Sequence, residues 1–124
     1  SITGALIQTF SGHEQLIHSV AMSNDNELIV TGSRDNTAKW WNNDGEITNN
    51  EKHSYDVFKV AFSPDGQSFI TTTDKKAYLW DIETKRKIRT FGGHRYPIKA
   101  VAFSSDGKYL ITGDDYGKVK IWTL

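Results

Sequence analysis

The chain has 124 residues, with 15 basic and 15 acidic side chains and no cysteine. Its length allows one modest domain, and its balanced charge gives no net attraction to nucleic acid or to an anionic membrane. The lack of cysteine excludes disulfide bonds and cysteine-ligated metal sites. No apolar run approaches the ~20 residues that span a bilayer, and no signal segment follows Ser1, so we expect a cytoplasmic protein.

The composition favours an all-β fold. Aromatic residues make up 12% of the chain, and it contains ten glycines but only two prolines. This balance suits short strands joined by tight turns. No stretch repeats its apolar residues at helical spacing, so the sequence predicts no helix.

An internal repeat organises the whole chain. A histidine recurs after 40 and then 41 residues, with a serine ten residues later, a threonine eight residues after that, and a tryptophan nine or ten residues further on. The three copies are His13, Ser23, Thr31 and Trp41, then His53, Ser63, Thr71 and Trp80, then His94, Ser104, Thr112 and Trp122. Three copies in one register predict three repeats of a single structural unit.

Each repeat predicts four strands in chain order. The first strands are expected at 20–22, 60–62 and 101–103, the second at 28–31, 69–72 and 109–112, and the third at 37–41, 77–80 and 118–122. Polar turns at 24–26, 64–66 and 105–107 separate the first two strands. A fourth, outer strand is predicted around Ile47 and at 87–91, and the third repeat lacks one. Residues 5–10 are predicted to form an additional outer strand before the first repeat.

The pattern resembles the WD-repeat family, in which a Gly-His and a Trp-Asp stand about one repeat apart. Gly12-His13, Gly93-His94 and Trp80-Asp81 carry the resemblance. It implies four-stranded antiparallel blades of a β-propeller, with boundaries at about 12–51, 52–92 and 93–124. Propellers have about four to eight blades around a central channel. We therefore expect three WD-type blades that close into a ring only through oligomerisation.

The resemblance also implies a hydrogen-bonded network inside each blade. Its expected members are His13, Thr31, Asp35 and Trp41, then His53, Thr71, Asp74 and Trp80, and finally His94, Thr112 and Trp122. In the third repeat Tyr116 stands where the aspartate is expected, so the network is predicted to be weakest there. Asp114 or Asp115 substitutes for it only if the turn shifts.

Catalysis and metal binding are weaker interpretations of the same residues. A His-Thr-Asp set that occurs three times is typical of buried structural networks, which must be satisfied internally. The three repeated histidines lie in separate blades and cannot converge on one ion, and Asp106, Asp114 and Asp115 lack the spacing of a calcium loop. We therefore predict no enzyme activity, no metal and no cofactor.

Two further features have structural interpretations. Lys85-Arg86-Lys87 with Arg89 is the densest basic cluster, and we interpret it as a solvated turn and outer strand rather than a nucleic-acid or phospholipid patch. Trp40 aligns with Leu79 and Ile121, which predicts that all three are core residues.

The resemblance implies a protein or peptide partner, and the balanced charge leads us to expect neither nucleic acid nor a membrane as partner. In the family, partners lie on the face that carries the turns before the first strand and before the tryptophan strand, called the top face below. The corresponding residues here are Leu16, His18, Arg34, Asp56, Phe58, Thr73, Pro97, Lys99 and Asp115. Phe58 is the residue predicted to act as an aromatic anchor, unless it packs against its own blade.

Self-association follows from the same pattern. The outer strand at 5–10 of one molecule is expected to complete the third blade of the next, giving a dimer with six blades or a trimer with nine. A lectin-like ligand-binding propeller and an excised or engineered fragment of a longer propeller remain alternatives.

Overall fold

A computed structural model describes residues 4–6 and 8–124 of the chain. The described part contains eleven β-strands and no helix, which agrees with the all-β prediction. The strands are β1 (Ile17–Met22), β2 (Ile29–Ser33), β3 (Thr37–Trp41), β4 (Ile47–Lys52), β5 (Lys59–Phe62), β6 (Ser68–Thr72), β7 (Ala77–Asp81), β8 (Lys87–Phe91), β9 (Ile98–Phe103), β10 (Tyr109–Asp114) and β11 (Val119–Thr123).

The strands form three antiparallel sheets that follow the chain. Blade one is the sheet β1-β2-β3-β4, blade two is β5-β6-β7-β8, and blade three contains β9, β10 and β11. Equivalent residues pair in the same way, because Thr31 lies opposite Val20 and Thr112 lies opposite Val101. The sheets of four, four and three strands do not close into a ring.

The segment predicted as an additional outer strand joins none of these sheets. Residues 5, 6 and 8–10 belong to none of the strands, and Ile7 lies outside the described residues. A strand needs a neighbour to pair with, and the incomplete blade three belongs to the other end of the array. Gln8 instead donates from its side-chain amide to the Asp44 carbonyl at 3.1 Å, which holds the segment beside blade one.

A repeated hairpin turn closes the first two strands of every blade. In blade one Ser23 Oγ donates to Asp25 at 2.5 Å and accepts from the Leu28 N–H at 3.0 Å. The same pairs recur as Ser63 with Asp65 and Ser104 with Asp106, each at 2.6 Å. These serine contacts, followed by backbone N–H contacts, lower the pKa of all three aspartates. The turn chemistry predicted at these positions therefore rests on an ionised aspartate.

The core lies between blades rather than inside any one of them. Trp40 of blade one packs edge-on against Phe69 of blade two, with ring centroids 4.8 Å apart. Gly32 lets the blades approach, because a Cβ at that position would lie 2.6 Å from Val57. A second cluster joins Leu79 of blade two to Leu110 and Trp122 of blade three. Trp40 and Leu79 are thus the core residues that the alignment predicts.

Ile121 does not share their burial, although it aligns with both. Its side chain is 69% exposed, whereas Trp40 is 1% and Leu79 is 9% exposed. The difference arises because Trp40 and Leu79 are covered by a following blade and Ile121 is not. Among the described residues no helix is long and apolar enough to cross a membrane.

Candidate interaction site

The network of blade one joins four elements through His13. His13 Nδ1 lies 2.9 Å from Asp35 Oδ2, its Nε2 contacts Thr31 Oγ1, and the Trp41 indole donates to the same hydroxyl at 2.9 Å. Thr37, which the sequence analysis does not single out, donates its hydroxyl to Asp35 Oδ1 at 2.5 Å. Thr37 is thus a fifth member of the network. The signal for it in the sequence was a threonine at the first position of the strand that carries Trp41.

The carboxylate of Asp35 is held in its charged form. Burial raises its pKa, but hydrogen bonds from Thr37, His13 and the Glu14 N–H outweigh that effect and hold the pKa well below its usual range. An ionised carboxylate is therefore built into the blade, with its lone pairs satisfied.

In blade three the aspartate of the network is Asp114, one of the two substitutes that the sequence offered, so Tyr116 does not interrupt the network. Asp114 Oδ2 lies 3.2 Å from His94 Nδ1, and His94 Nε2 lies 2.6 Å from Thr112 Oγ1. Trp122 donates to Thr112 at 3.0 Å. Asp114 ends β10 two residues before the aligned position, where its Oδ1 accepts from the Tyr116 and Lys118 N–H groups.

The pKa of Asp114 is also lowered. Burial raises it, but the Lys118 N–H, His94 and the Tyr116 N–H together outweigh burial. Blades one and three therefore reach the same chemistry from two different turn positions.

Blade two keeps only part of the network. Trp80 donates to Thr71 at 2.9 Å, as in the other blades. His53 instead packs against the Tyr78 ring, with centroids 5.0 Å apart, and its Nε2 is buried without a hydrogen-bond partner. No hydrogen bond found in the described part of the chain joins Asp74 to His53, so the expected role of Asp74 is not observed. The turn is one residue shorter, and it holds Asp74 in the loop between Thr73 and Lys76.

On the top face, side chains of the three blades form one continuous chain of contacts. His18 Nε2 of blade one lies 3.2 Å from Asp56 Oδ2 of blade two. The His18 ring also packs against Phe58, with centroids 5.2 Å apart. We call the line of residues that begins here, and includes Lys99 and Asp115, the top-face ladder.

The ladder continues from Phe58 to blade three. Lys99 Nζ lies 4.5 Å from the centre of the Phe58 ring and 3.5 Å from Asp115 Oδ2. Phe58 is therefore half-buried between two neighbouring blades, and it is neither a free anchor nor packed on its own blade alone. The exposed groups of the ladder are charged or polar, which suits a partner with polar groups of its own.

The remaining predicted top-face residues have different surroundings. Leu16 and Arg34 are exposed, Pro97 is half-buried, and Thr73 is buried at the end of the blade-two hairpin. Thr73 therefore cannot contact a partner, because its side chain faces the Lys76 carbonyl at 3.4 Å.

The sequence analysis missed an aromatic pair beside the ladder. Tyr96 and Tyr116 pack against each other with ring centroids 4.0 Å apart and planes tilted by 35°, and Tyr116 is 74% exposed. Tyr116 follows Asp115 directly, so the pair lies at the blade-three end of the ladder. Exposed tyrosines are common anchors of protein interfaces.

The other predicted sites carry little specific geometry. The basic cluster spans the turn before the outer strand β8 and the exposed part of that strand. Arg89 donates to the Thr123 carbonyl at 2.9 Å, and Lys85 reaches the Thr48 carbonyl at 3.5 Å. A search of the described residues finds no group of three or more histidine, cysteine or acidic side chains placed to hold a metal ion.

Three meandering antiparallel sheets, each with a tryptophan-threonine bond, define a segment of β-propeller blades. The family model described as "WD domain, G-beta repeat" matches residues 4–42, 46–81 and 85–123, and the chain belongs to this family.

Several proteins are similar in sequence to part of this chain. Eukaryotic translation initiation factor 3 subunit I of Aspergillus fumigatus is 38% identical over 77 residues, which cover 61% of this chain and 23% of the relative. The same subunit of Coccidioides immitis is 34% identical over 84 residues, covering 66% and 25%. Periodic tryptophan protein 2 homolog of Neurospora crassa is 35% identical over 83 residues, covering 64% and 9%. The match thus spans a quarter or less of the length of these relatives.

Proposed function

We propose that the chain is a non-catalytic WD-repeat scaffold that holds a protein segment on its top-face ladder. The observation that carries the proposal is the continuous line of contacts from His18 through Phe58 to Asp115, which crosses all three blades. Such a line presents charged groups at fixed spacing, and each blade contributes to it. The names of the relatives support a protein partner, because one of them is a subunit of a translation initiation factor.

The composition of the ladder indicates the kind of partner. Asp56 and Asp115 present carboxylates, and Lys99 lies between them on the Phe58 ring. The Tyr96–Tyr116 pair adds apolar area at the blade-three end of the ladder. A peptide segment with basic and aromatic side chains fits this order of groups.

The test replaces exposed side chains at the blade-three end of the ladder and leaves the buried core of the blades unchanged. A double variant, Lys99→Ala with Tyr116→Ser, is expected to lose capture of the partner in a crosslinking and pull-down experiment while its melting temperature changes little. Lys108→Ala is the matched control, because Lys108 is exposed in the turn at the opposite end of β10. Equal capture by the unchanged chain, the double variant and the control variant would contradict the proposal.

A second double variant, Phe58→Ala with Lys99→Ala, is less selective for this purpose. Phe58 supports His18 and Lys99 at once, so its removal is expected to lower the melting temperature as well.

We further propose that the scaffold assembles head to tail with a second copy of itself. The face of blade three that carries Ile121 is open, although the equivalent faces of blades one and two are buried by the following blade. Blade one offers the complementary open face. Its Val20 is 66% exposed, whereas the equivalent Val60 is 7% exposed against blade one. A blade-three face of one copy on a blade-one face of the next repeats a contact the chain already makes twice.

The N-terminal segment supports the same arrangement. Phe10 packs on Trp41 with ring centroids 5.6 Å apart, and Phe91 of the outer strand β8 packs on Trp122 at 5.4 Å. Residues near Phe10 thus have the relation to blade one that an outer strand has to the blade that follows it. The family match agrees, since the ranges starting at 46 and 85 each begin just before an outer strand and the first starts at 4.

Assembly is tested by mass in solution. Two copies give six blades and three give nine, and the usual range of about four to eight favours two. Deleting residues 1–10 removes the segment that we propose to complete blade three of a neighbour, so the mass by light scattering is expected to change while the β circular dichroism remains. A free peptide of residues 1–12 is expected to restore part of the assembly.

A monomeric intact chain, or a truncation that leaves the mass unchanged, would contradict assembly in trans. The open faces would then belong to further blades of a longer chain. Neither result bears on partner binding by the ladder, which the pull-down experiment tests. We also propose a cytoplasmic location, which needs a test of its own.

A further inference from the structure

Blade two has an unfilled place for a carboxylate. In blade one Asp35 lies 2.9 Å from Nδ1 of the histidine, and in blade three Asp114 lies 3.2 Å from it. Across residues 4–6 and 8–124, no hydrogen bond joins His53 to any carboxylate. Its Nε2, the atom that contacts the network threonine in the sister blades, is also buried without a partner. The same ring that is fixed at both nitrogens in two blades is fixed at neither in the third.

The shorter turn explains why the chain does not fill this place itself. Thr73 occupies the position of Asp114, two residues after the network threonine. The blade-two hairpin closes with the Thr73 N–H donating to the Lys76 carbonyl at 2.9 Å, whereas Asp114 pairs with Lys118 at 3.0 Å across a loop one residue longer. Asp74 is thereby kept in the loop, where it lines a neighbouring cavity together with Thr73 and Tyr55.

A cavity lies beside the unfilled position. Its volume is about 440 Å³, and it opens to solvent between blades one and two. The residues that matter for a ligand are His53, Lys52, Ser54, Tyr78 and Lys87, which all line it. Glu51 lines it as well, but its carboxylate accepts from the Asn49 amide at 3.3 Å.

The charges around this cavity favour an anion. Lys87 Nζ lies 5.1 Å from the centre of the Tyr78 ring, and Lys52 approaches from the outer strand of blade one. Burial, and then the charge of Lys87, lower the pKa of His53 to about 4. At neutral pH the ring is therefore uncharged and has one N–H to donate, which is enough for one carboxylate oxygen.

We propose that this cavity binds the carboxylate of an aspartate or glutamate side chain from an acidic segment of a partner protein. The bound group takes the place that Asp35 and Asp114 hold in the sister blades, accepts from the His53 ring, and is balanced by Lys52 and Lys87. The site shares no residue with the top-face ladder, so it adds a second contact that does not depend on the proposed function.

The site is tested by following the His53 ring nitrogens by NMR in the full chain, with His53→Gln to assign the signals. The probe is the capped peptide acetyl-Gly-Asp-Gly-amide, and acetyl-Gly-Asn-Gly-amide is the matched control. We expect the aspartate peptide to shift the His53 signals saturably and the asparagine peptide to leave them unchanged. Inorganic phosphate, a second anion, is expected to bind more weakly.

Variants separate this site from general charge attraction. Thr73→Asp supplies a carboxylate from the position of Asp114 and is expected to weaken peptide binding at least tenfold, whereas the uncharged Thr73→Asn retains it. Lys87→Gln, at an exposed position that does not endanger folding, is expected to weaken binding about fivefold, as for a partly exposed ion pair.

Three results would overturn the proposal. The first is an equal shift with the asparagine peptide, and the second is tighter binding of phosphate than of the aspartate peptide. The third is a change of the His53 signals in the free protein on Asp74→Asn, because Asp74 would then already hold the position. Variants that abolish partner binding by the top-face ladder are expected to leave the His53 signals unchanged. The two proposals can therefore be contradicted independently.

Discussion

His94 Nδ1 lies 3.2 Å from Asp114 Oδ2, in the same arrangement that His13 and Asp35 adopt at 2.9 Å. Both histidines therefore connect a carboxylate to a threonine hydroxyl, and each removal leaves buried groups unpaired. We expect His13→Ala and His94→Ala each to lower the free energy of unfolding by about 1–3 kcal/mol. His53→Ala is the matched control and should cost less, because no hydrogen bond to its ring is present. Denaturant midpoints measure the three losses, and a small loss for His94 alone would contradict the role of Asp114.

The pH dependence of stability should reveal His53. Its pKa is about 4 in the folded chain, below the ordinary 6.5, so the unfolded chain binds more protons between these values. The stability contributed by the neutral ring is complete above pH 6.5 and is lost as the pH falls toward 4.

The expected measurement is thermal unfolding from pH 7 to pH 4.5, with His53→Gln as the comparison. The variant should show a flatter profile in this window. Asp35 and Asp114 also have lowered pKa values, but their contributions are lost only below about 3.8, the ordinary value. Identical slopes in the two proteins would show that burial does not suppress protonation of His53.

The two adjacent tryptophans should respond differently to the same change. The Trp41 indole donates to Thr31 at 2.9 Å, whereas the Trp40 Nε1 is buried without a partner. We expect Trp40→Phe to cost about 1 kcal/mol, since it removes an unsatisfied donor together with some packing. Trp41→Phe should cost more, and Trp40→Ala about 3–5 kcal/mol through the cavity it leaves. Urea unfolding of the three variants would order them, and a reversed order of the two phenylalanine variants would be inconsistent with this assignment.

A charge on either open face should prevent assembly. Val20→Lys and Ile121→Lys each place an ammonium group on an apolar face that the proposed contact buries, and desolvating it costs several kcal/mol. Light scattering should then give the mass of one chain. Lys108→Glu, in an exposed turn, is the control and should leave the mass unchanged. If both lysine variants retain the wild-type mass, the apolar faces are not the contact.

Much of the fold could be predicted because the repeat is carried by residues whose role depends on local sequence. Trp41 and Thr31 stand ten residues apart on paired strands, and that spacing survives in Trp122 and Thr112. A single sequence was enough to place them, since strand pairing fixes which residues face each other.

The aspartates were harder, because the carboxylate can come from different positions of the turn while the strands and their register stay the same. Counting from Thr112 indicates Tyr116, yet Asp114 reaches His94 from the strand end. The exposure of Ile121 could not be predicted from its alignment either, because it depends on whether another blade follows in space. Phe58 illustrates a third limit, since its neighbours His18 and Lys99 are 40 and 41 residues away and belong to other sheets.

The serine-aspartate turns have a consequence for how the chain folds. Each one ties a serine to an N–H only five residues later, as Ser23 does with Leu28, so the loop that must be closed is very short. Short loops carry a small entropic penalty, and arrays of repeats can begin folding at any unit. We therefore expect three separate starting points for folding, one hairpin per blade, with the contacts between blades formed afterwards. A newly made chain would then gain order repeat by repeat as each hairpin becomes free to close.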